Sequence, residues 1–160
     1  NLSYYAAMAL GDLGDERSVP FLIVELEKGR NRSKTILAAL YKLGDVRGIK
    51  GIIRSWKGGD IREDIYIIQK NLFGIEEIIN ALGKEHMFVD KTNEYHEFHM
   101  KMIRSNILKV LTTVILDGAT VSFTKKQVGQ YWNFLKLEER LWKNQKSIKK
   151  ALKKLGHEVE

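Results

Sequence analysis

The chain of 160 residues is 44% hydrophobic and 29% charged, and it contains no cysteine and a single proline. This length suits one compact domain or a short repeat array, and these fractions exclude a wholly disordered chain. The absence of cysteine excludes disulfides, thiolate zinc sites, iron–sulfur clusters and cysteine nucleophiles. Because proline interrupts helices and punctuates loops, a chain with only Pro20 is predicted to be almost entirely helical.

Positive charge is concentrated in the last quarter of the chain. The net charge is +7, from 27 basic and 20 acidic residues. Residues 121–160 hold 10 of the basic residues and 4 of the acidic ones, so they supply +6 of the total. This concentration indicates contact with nucleic acid, an acidic protein or an anionic membrane surface, or else a solvated cationic helix face.

Neither a membrane span nor a secretory signal is predicted. No segment has the roughly 20 uninterrupted apolar residues that cross a bilayer, since even 107–116 contains Lys109 and two threonines. Residues 1–5 have neither a basic region nor a cleavage pattern. We therefore expect a cytoplasmic protein without membrane contact. The start inside a helical pattern leaves open that the chain is a fragment of a longer one.

An internal repeat is the strongest pattern in the sequence. Residues 9–19 align with residues 39–49 at an offset of 30, with Ala, Leu, Leu, Gly, Asp and Arg in the same order. The same offset leads to 72–75, where the glycine is kept and the aspartate and arginine are lost. A period of this length is typical of stacked helical or solenoid repeats.

Each copy of the repeat is predicted to form a helix, a tight turn and a second helix. In the first copy, Gly14 ends the first helix in the left-handed conformation, Asp15 caps the next, and Pro20 lies in its first turn. Apolar spacing at i, i+3, i+4 and i+7 predicts the buried stripes. These stripes are Ala6, Ala9, Leu10 and Leu13, then Val19, Leu22, Ile23 and Leu26, in the first copy; Ile36, Leu37, Leu40 and Leu43, then Ile49, Ile52 and Ile53, in the second; and residues from Ile61 to Phe73, then Ile75, Ile78, Ile79 and Leu82, in the third.

Residues 6–22 carry a resemblance to a known repeat. The segment reads Ala-Ala-Met-Ala-Leu-Gly-Asp-Leu-Gly-Asp-Glu-Arg-Ser-Val-Pro-Phe-Leu, and it resembles the short HEAT-like repeat of the phycobilisome-lyase type. That pattern places alanines and leucine in the first helix, then Leu-Gly-Asp, an arginine, and Val-Pro-x-Leu opening the second helix. Residues 38–52 are similar more loosely, with Ile49 and Lys50 in place of Val-Pro. The resemblance extends over residues 3–85.

The resemblance implies an interaction between neighbouring units. In the family, the aspartate and the arginine of the turn commonly stack and bond from one unit to the next. The matching pairs in this sequence are Asp15 with Arg17 and Asp45 with Arg47.

The C-terminal half is predicted to add further helices. Residues 84–93 form a connector, and Thr92 or Asn93 caps a long helix that runs to Leu116. Its buried stripe comprises Ile103, Ile107, Val110, Leu111 and Val114. Residues 119–123 are too short and isolated for a sheet and form an extended link. Another helix begins at the capping box of residues 124–127.

A heptad pattern runs through the end of the chain. Phe134, Leu141, Ile148 and Leu155 are spaced seven apart, with Leu137 and Ala151 at intermediate positions and Asn144 as a polar interruption. This spacing favours either a coiled-coil seam or a helix packed within the same chain. Lysines lie on the opposite side. They are Lys143, Lys146, Lys149, Lys150, Lys153 and Lys154.

No catalytic constellation is predicted, and we expect no cofactor and no metal site. His96 and His99 share one helix face, but two histidines without a third ligand indicate a surface pair rather than a metal centre. Nucleophile-elbow, P-loop and dinucleotide-binding motifs do not occur in the sequence. Residues 58–60 (Gly-Gly-Asp) are predicted to be a helix-ending turn.

Two basic surfaces are candidate binding sites. Arg47, Lys50, Arg54 and Lys57 line one side of a second helix, near a further patch of Arg30, Arg32 and Lys34. The C-terminal lysines are interleaved with aromatic residues at Tyr131, Trp132 and Trp142. Such aromatics either stack on bases while lysines neutralise phosphates, or fill the core. HEAT-like arrays that bind DNA use a concave basic surface, a likeness of architecture only.

We therefore predict an all-α fold, an α-α superhelix of HEAT-like repeats continued by C-terminal helices. Residues 1–88 form the repeats, and residues 89–160 a helical region packed on them as one structural unit. Stacked helix pairs create extended binding surfaces, so the predicted function is a non-catalytic scaffold for a protein partner. Its rim contacts are Arg47, Lys50, Arg54 and Lys57. The alternatives are nucleic-acid binding through the basic C-terminal helix and the repeat surface, and an accessory role to a lyase-like enzyme. The oligomeric state is left open.

Overall fold

The protein is all α-helical over the residues that the computed structural model describes, which are 4–28 and 33–160. Ten α-helices and two short 3₁₀ helices, Glu16–Ser18 and Glu85–Phe88, make up this part of the chain, which contains no strand. The α-helices are α1 (Tyr4–Leu13), α2 (Val19–Glu27), α3 (Ser33–Lys42), α4 (Val46–Ser55), α5 (Arg62–Lys70), α6 (Ile75–Ala81), α7 (His96–Leu116), α8 (Lys125–Leu135), α9 (Glu139–Trp142) and α10 (Gln145–Lys154). The all-α prediction is confirmed. Arg30 and Arg32, which the sequence places in a basic patch with Lys34, lie outside the described residues.

The chain divides into two compact units, unit 1 (1–74) and unit 2 (75–160). The division falls after Gly74, whereas the sequence pattern placed the end of the repeats at residue 88. Consequently the third predicted helix pair contributes α5 to unit 1 and α6 to unit 2. The packing of the C-terminal region on the repeats stays a prediction.

The first two helix pairs of unit 1 share a hydrophobic core. Leu22 and Leu40 are completely buried at its centre, and Ala7, Ile36, Ala39 and Leu43 complete the cluster. Four half-buried side chains pack against it: Leu10, Val19, Ile23 and Leu26. The predicted stripes of α2, α3 and α4 are confirmed, because the residues of each are buried or packed on this core.

The predicted stripe of α1 is wrong at two of its four positions, since Leu10 packs on the core and Ala6 is half-buried. Ala9 and Leu13 are exposed, Leu13 by 75%, whereas Ala7 and Gly11 are buried. A Cβ atom at Gly11 would lie only 2.9 Å from the Cα of Ala39, so α1 and α3 pack nearly backbone against backbone. Only the smallest side chains fit where two helices approach so closely. The larger Leu13, at the end of α1, lies outside this contact and is exposed.

The turns between paired helices form as the sequence predicts. Gly14 and Gly44 have φ angles of 69° and 77°, a conformation that glycine adopts without strain. Asp45 caps α4, Asp15 caps the 3₁₀ turn that leads into α2, and Pro20 lies at the start of α2. Each turn therefore reverses the chain within a few residues and sets an antiparallel helix pair.

Polar contacts join consecutive repeats of unit 1 at an interval of 30 residues. The ammonium group of Lys42 on α3 lies 2.5 Å from Asp12 on α1. The Tyr41 hydroxyl donates to the carbonyl oxygen of Asn71, and the Tyr41 ring packs edge-on against Phe73. These contacts repeat the period of the sequence and fix the register between repeats.

Unit 2 is built on the long helix α7. All five residues of its predicted stripe are buried, although the helix begins at His96 rather than at Thr92 or Asn93. Residues 119–123 form the expected extended link. The capping box at the start of α8 is confirmed, because Thr124 accepts from the Gln127 amide and the Gln127 side chain accepts from the Thr124 amide.

The heptad pattern does not form one continuous helix. The helical conformation is interrupted at residues 136–138 and again near 143–144, so the pattern is distributed over α8, α9 and α10. Leu137 is 80% exposed, whereas Ile148 and Leu152 on α10 are buried in unit 2, where α10 contacts α7. The breaks orient α10 independently of α8, which excludes the coiled-coil seam and leaves packing within the chain.

Side chains of α8 and α7 hold the segment around residues 80–85 in unit 2. The amide groups of Gln127 and Gln130 donate to the Asn80 side chain and the Leu82 carbonyl, each at 2.9 Å. Glu85 is buried and accepts from Arg104 at 2.7 Å, and the same guanidinium lies over the ring of Phe134. A buried carboxylate thus has its compensating charge in place.

Gly48 provides a test of close helix packing. A Cβ atom at this position would lie 2.6 Å from the Tyr41 nitrogen and 2.8 Å from the Leu40 Cβ. Gly48→Ala should therefore lower the free energy of unfolding by about 1–3 kcal/mol, the usual cost of overpacking. The control is Gly129→Ala on α8, where the added methyl group meets nothing within 4 Å. It should raise stability by about 0.5–1 kcal/mol, because alanine is the better helix former. Urea denaturation measures both, and equal effects of the two variants would contradict the packing.

Candidate binding surfaces

A Gly-Asp-x-Arg turn fixes the start of α4. The Asp45 carboxylate accepts from the Arg47 backbone nitrogen at 2.9 Å and from the guanidinium at 2.7 and 2.9 Å. The hydrogen bond from the Arg47 side chain lowers the pKa of Asp45 and raises the pKa of Arg47. The aspartate therefore caps the helix as an anion, which also favours the positive end of the helix dipole.

The same turn occurs three times in unit 1. Asp15 binds Arg17 in the same geometry, and Asp60 binds Arg62 at the start of α5. The Arg62 side chain lowers the pKa of Asp60 to about 2. Sequence reasoning missed this third copy because it lies half a period after Asp45, although Gly59-Asp60-Ile61-Arg62 has the same residue pattern.

These turns correct what the resemblance implied about the aspartate and arginine. In each pair the carboxylate and the guanidinium belong to residues two apart in the same turn. Their hydrogen bonds do not bridge neighbouring repeats. Side chains that do join consecutive repeats include those of Lys42 and Tyr41. The turn pairs therefore order the loops, while other residues set the stacking.

The predicted basic stripe of α4 is exposed, but its four members are not equivalent. Arg47, Lys50, Arg54 and Lys57 recur at three- and four-residue intervals, opposite the buried Ile49, Ile52 and Ile53. Arg47 is held by Asp45. Among the described residues, the other three make no ion pair. Uncompensated charge is thus confined to Lys50, Arg54 and Lys57, which we call the α4 cationic stripe.

The second helix of the first repeat offers apolar groups on its outer face. Phe21 and Val24, one turn apart on α2, are each 51% exposed. The 30-residue period makes Val24 the counterpart of Arg54, so the two second helices present corresponding faces. Sequence reasoning assigned this face of α2 no role, although neither residue belonged to the predicted stripe.

Helix α10 carries the densest positive charge of unit 2. Ile148 and Leu152 are buried, and every lysine on the other side of the helix is exposed. With Lys143 at the end of α9, these residues form the lysine face: Lys143, Lys146, Lys149, Lys150, Lys153 and Lys154. Within the described part of the chain, none of the six is in an ion pair.

The aromatic residues near the lysine face belong mainly to the core. Tyr131 and Trp132 are buried, with 1% and 4% exposure. The Tyr131 hydroxyl is 2.8 Å from that of Thr112, and Trp132 donates to the Glu160 carbonyl at 3.0 Å. Trp142 is half-buried and packs edge-on against Trp132, with ring centroids 5.0 Å apart. The interpretation of these rings as core residues is therefore confirmed for Tyr131 and Trp132.

The two histidines at the start of α7 make local contacts. His96 lies 3.0 Å from the Asn93 carbonyl through Nδ1, and His99 packs against the rings of Tyr95 and Phe98. No group of three His, Cys, Asp or Glu side chains in residues 4–28 and 33–160 is placed to hold a metal ion. Over the same residues, no helix is both long and apolar enough to cross a bilayer.

Comparison with protein families identifies the helix pair at the start of the chain. Residues 4–27 match the family model described as PBS lyase HEAT-like repeat. The match begins at the first residue of α1 and ends at the last residue of α2. This protein carries a HEAT-like repeat. Comparisons with curated proteins and with solved structures found no match.

The contact between the second HEAT-like helix pair and α5 contains a buried carboxylate. Asp64 is 1% exposed and accepts from the indole nitrogen of Trp56 at 3.0 Å. Lys34 of α3 lies 3.6 Å from the same carboxylate and donates to the Asp60 carbonyl at 2.9 Å. Burial nevertheless dominates and raises the pKa of Asp64. Lys34, predicted to belong to a basic patch, is thus engaged in this interaction.

The free energy of unfolding of unit 1 should therefore depend on pH through the titration of Asp64. Because its pKa is raised above 3.8 in the folded state, the folded chain binds more protons than the unfolded chain near that pH. The free energy of unfolding therefore falls as the pH rises from the unfolded-state pKa through the higher folded-state pKa. Asp64→Asn keeps an acceptor for Trp56 and lacks this cost, so its stability relative to the unsubstituted protein should increase from pH 3 to pH 6. Denaturant titrations at each pH measure the difference. Parallel curves, or a difference of opposite sign, would contradict the assignment.

Proposed function

We propose that the chain is a non-catalytic, cytoplasmic scaffold that binds a protein partner through the second helices of its repeats. HEAT-like helix pairs stack to give extended surfaces that other macromolecules contact. The observation that supports this proposal is the combination of exposed apolar groups on α2 with the α4 cationic stripe. An apolar centre beside a charged rim is the usual composition of a protein interface.

The binding surface consists of Phe21 and Val24 with the α4 cationic stripe as its rim. Phe21 and Val24 supply area that a partner would bury, whereas Lys50, Arg54 and Lys57 attract acidic side chains and favour rapid encounter. Arg47 contributes less than its position indicates, because its guanidinium is bound to Asp45. The partner best matched to this surface is a protein segment with apolar anchors and flanking carboxylates.

The family description supports one alternative. Because the matching model is named for a lyase, the partner would in that case be a lyase-type enzyme to which this chain is an accessory. The same surface would serve both roles, since each requires a protein to dock on the second helices. Identifying the partner separates them.

Exchange of the apolar pair tests the proposed surface. Phe21→Ser with Val24→Ser should weaken partner binding by about 30-fold or more, as expected for loss of a central anchor worth about 2 kcal/mol. Lys50→Glu with Arg54→Glu should lower the association rate and its salt dependence. Proteins retained by the immobilised chain from a lysate of its source organism are identified by mass spectrometry, and the purified candidate is then titrated calorimetrically.

The matched control is Tyr66→Ser. Tyr66 is 60% exposed but lies on α5, a first helix rather than a second one. Its substitution should leave partner binding within about threefold of the unsubstituted protein, a change below the threshold for interface hot spots. If the control weakens binding as much as the α2 pair does, or if the α2 pair has no effect, the proposed surface is wrong.

A further inference from the structure

The lysines of the lysine face repel one another, and this repulsion disfavours the helix that carries them. Lys146 and Lys150, Lys149 and Lys153, and Lys150 and Lys154 are like-charge pairs at i, i+4, a spacing that destabilises a helix. The first turn of α10 contains no acidic residue to favour the helix dipole. Packing of Ile148 and Leu152 holds the helix in place despite this repulsion. An anion bound across the face would relieve it.

Among the described residues, no carboxylate forms an ion pair with the lysine face. No acidic residue occurs between residues 140 and 157, a stretch that contains the whole lysine face. Elsewhere basic side chains do find carboxylates, as Lys42 does in unit 1 and Arg104 does in unit 2. With six lysines in residues 143–154, the lysine face is the denser of the two unpaired basic surfaces, the other being the α4 cationic stripe.

The chemistry of the face favours phosphates over a protein or a membrane. Residues 138–160 are all described, and they expose no large hydrophobic side chain. Protein interfaces depend on buried aromatic or arginine anchors, and helices that lie on membranes insert an apolar face, which α10 buries in unit 2. Lysine ammonium groups act as point charges suited to phosphate oxygens. A phosphate backbone requires nothing further.

The burial of the aromatic rings distinguishes a duplex from a single strand. Proteins that bind single strands stack bases on exposed aromatic side chains. Tyr131 and Trp132 are in the core, and Trp142, which precedes Lys143 in the sequence, is half-buried against Trp132. Duplex RNA is recognised by shape and through its 2′-hydroxyls as well as its phosphates, whereas a face of point charges matches the regularly spaced phosphates of duplex DNA. Duplex RNA is therefore an arm of the binding test.

We propose that the lysine face binds the phosphate backbone of double-stranded DNA without reading its sequence. This site lies in unit 2 and is independent of the protein-binding surface proposed for unit 1. Nonspecific affinity of this kind is electrostatic and falls with salt with a slope of about −0.9 per neutralised phosphate. With about five lysines engaged, Kd should rise about 500-fold between 50 and 200 mM salt.

Two triple variants with the same change in net charge test the proposal by fluorescence anisotropy on a labelled 24-base-pair duplex. Lys146→Gln, Lys150→Gln and Lys153→Gln leave about two contacts, so the rise in Kd between the two salt concentrations should fall to about tenfold. The control is Lys50→Gln, Arg54→Gln and Lys57→Gln, which removes three positive charges from the α4 cationic stripe. It should leave the salt dependence unchanged. Circular dichroism verifies that both variants are folded.

The outcomes separate the proposal from its rivals. Two duplexes of unrelated sequence should bind with Kd values within about threefold, and single-stranded DNA should bind more weakly than either. Failure of the duplex to bind at 50 mM salt would overturn the proposal. Equal losses in the two triple variants would do the same, since they would show dependence on net charge alone. Tighter binding of poly-glutamate, single strands or duplex RNA would assign the face to another ligand.

Discussion

The contact of α3 with α4 at Gly48 is the constraint on which unit 1 depends. Because the helix backbones nearly touch there, the isoleucines that flank Gly48 on α4 point into the core. Ile49, Ile52 and Ile53 are at most 3% exposed. The opposite side of α4 must then face outward, which places Lys50 and Arg54 on the surface. A second close approach, of Gly11 to Ala39, stacks the first repeat on the second.

The sequence predicted most of this architecture because its strongest patterns are local. Glycine followed by aspartate has one low-energy role between two helices, and Gly14, Gly44 and the residues after them adopt it. Residues spaced at three and four positions lie on one side of a helix, and the predicted stripes of α4 and α7 are buried. Helix α7 also buries further residues, such as Leu108 and Ile115. These outcomes depend on backbone geometry and periodicity, which a single sequence contains.

The predictions that were wrong depended on contacts between helices. By its spacing, Leu13 belongs to the apolar stripe of α1. However, α3 packs against α1 at Gly11, and Leu13 is exposed. The seven-residue spacing near the end of the chain predicts one helix, but α8 and α10 bury their apolar residues separately. Asp60 was overlooked because it does not follow the 30-residue period, whereas the same aspartate–arginine turn also occurs half a period after Asp45.

Charge pairing links this architecture to the two proposed functions. In unit 1, Arg17, Arg47 and Arg62 each bind the aspartate of their own turn, so they order loops rather than present charge. The described part of that unit also exposes the α4 cationic stripe and the apolar pair of α2. In unit 2 the lysine face has no ion-pair partner among the described residues, and residues 138–160 expose no large hydrophobic side chain. A protein partner and a polyanion therefore suit different parts of the chain.

Under both proposals, the lysine face and the α4 cationic stripe are separate sites for chemically different partners. Amide ¹H–¹⁵N correlation spectra of the full chain, recorded while duplex DNA is added at low salt, test this separation. We expect shift changes along residues 143–154 that saturate together, while the amides of Lys50, Arg54 and Lys57 stay in place. Changes of similar size on α4, or changes spread evenly over the basic residues of both units, would contradict it.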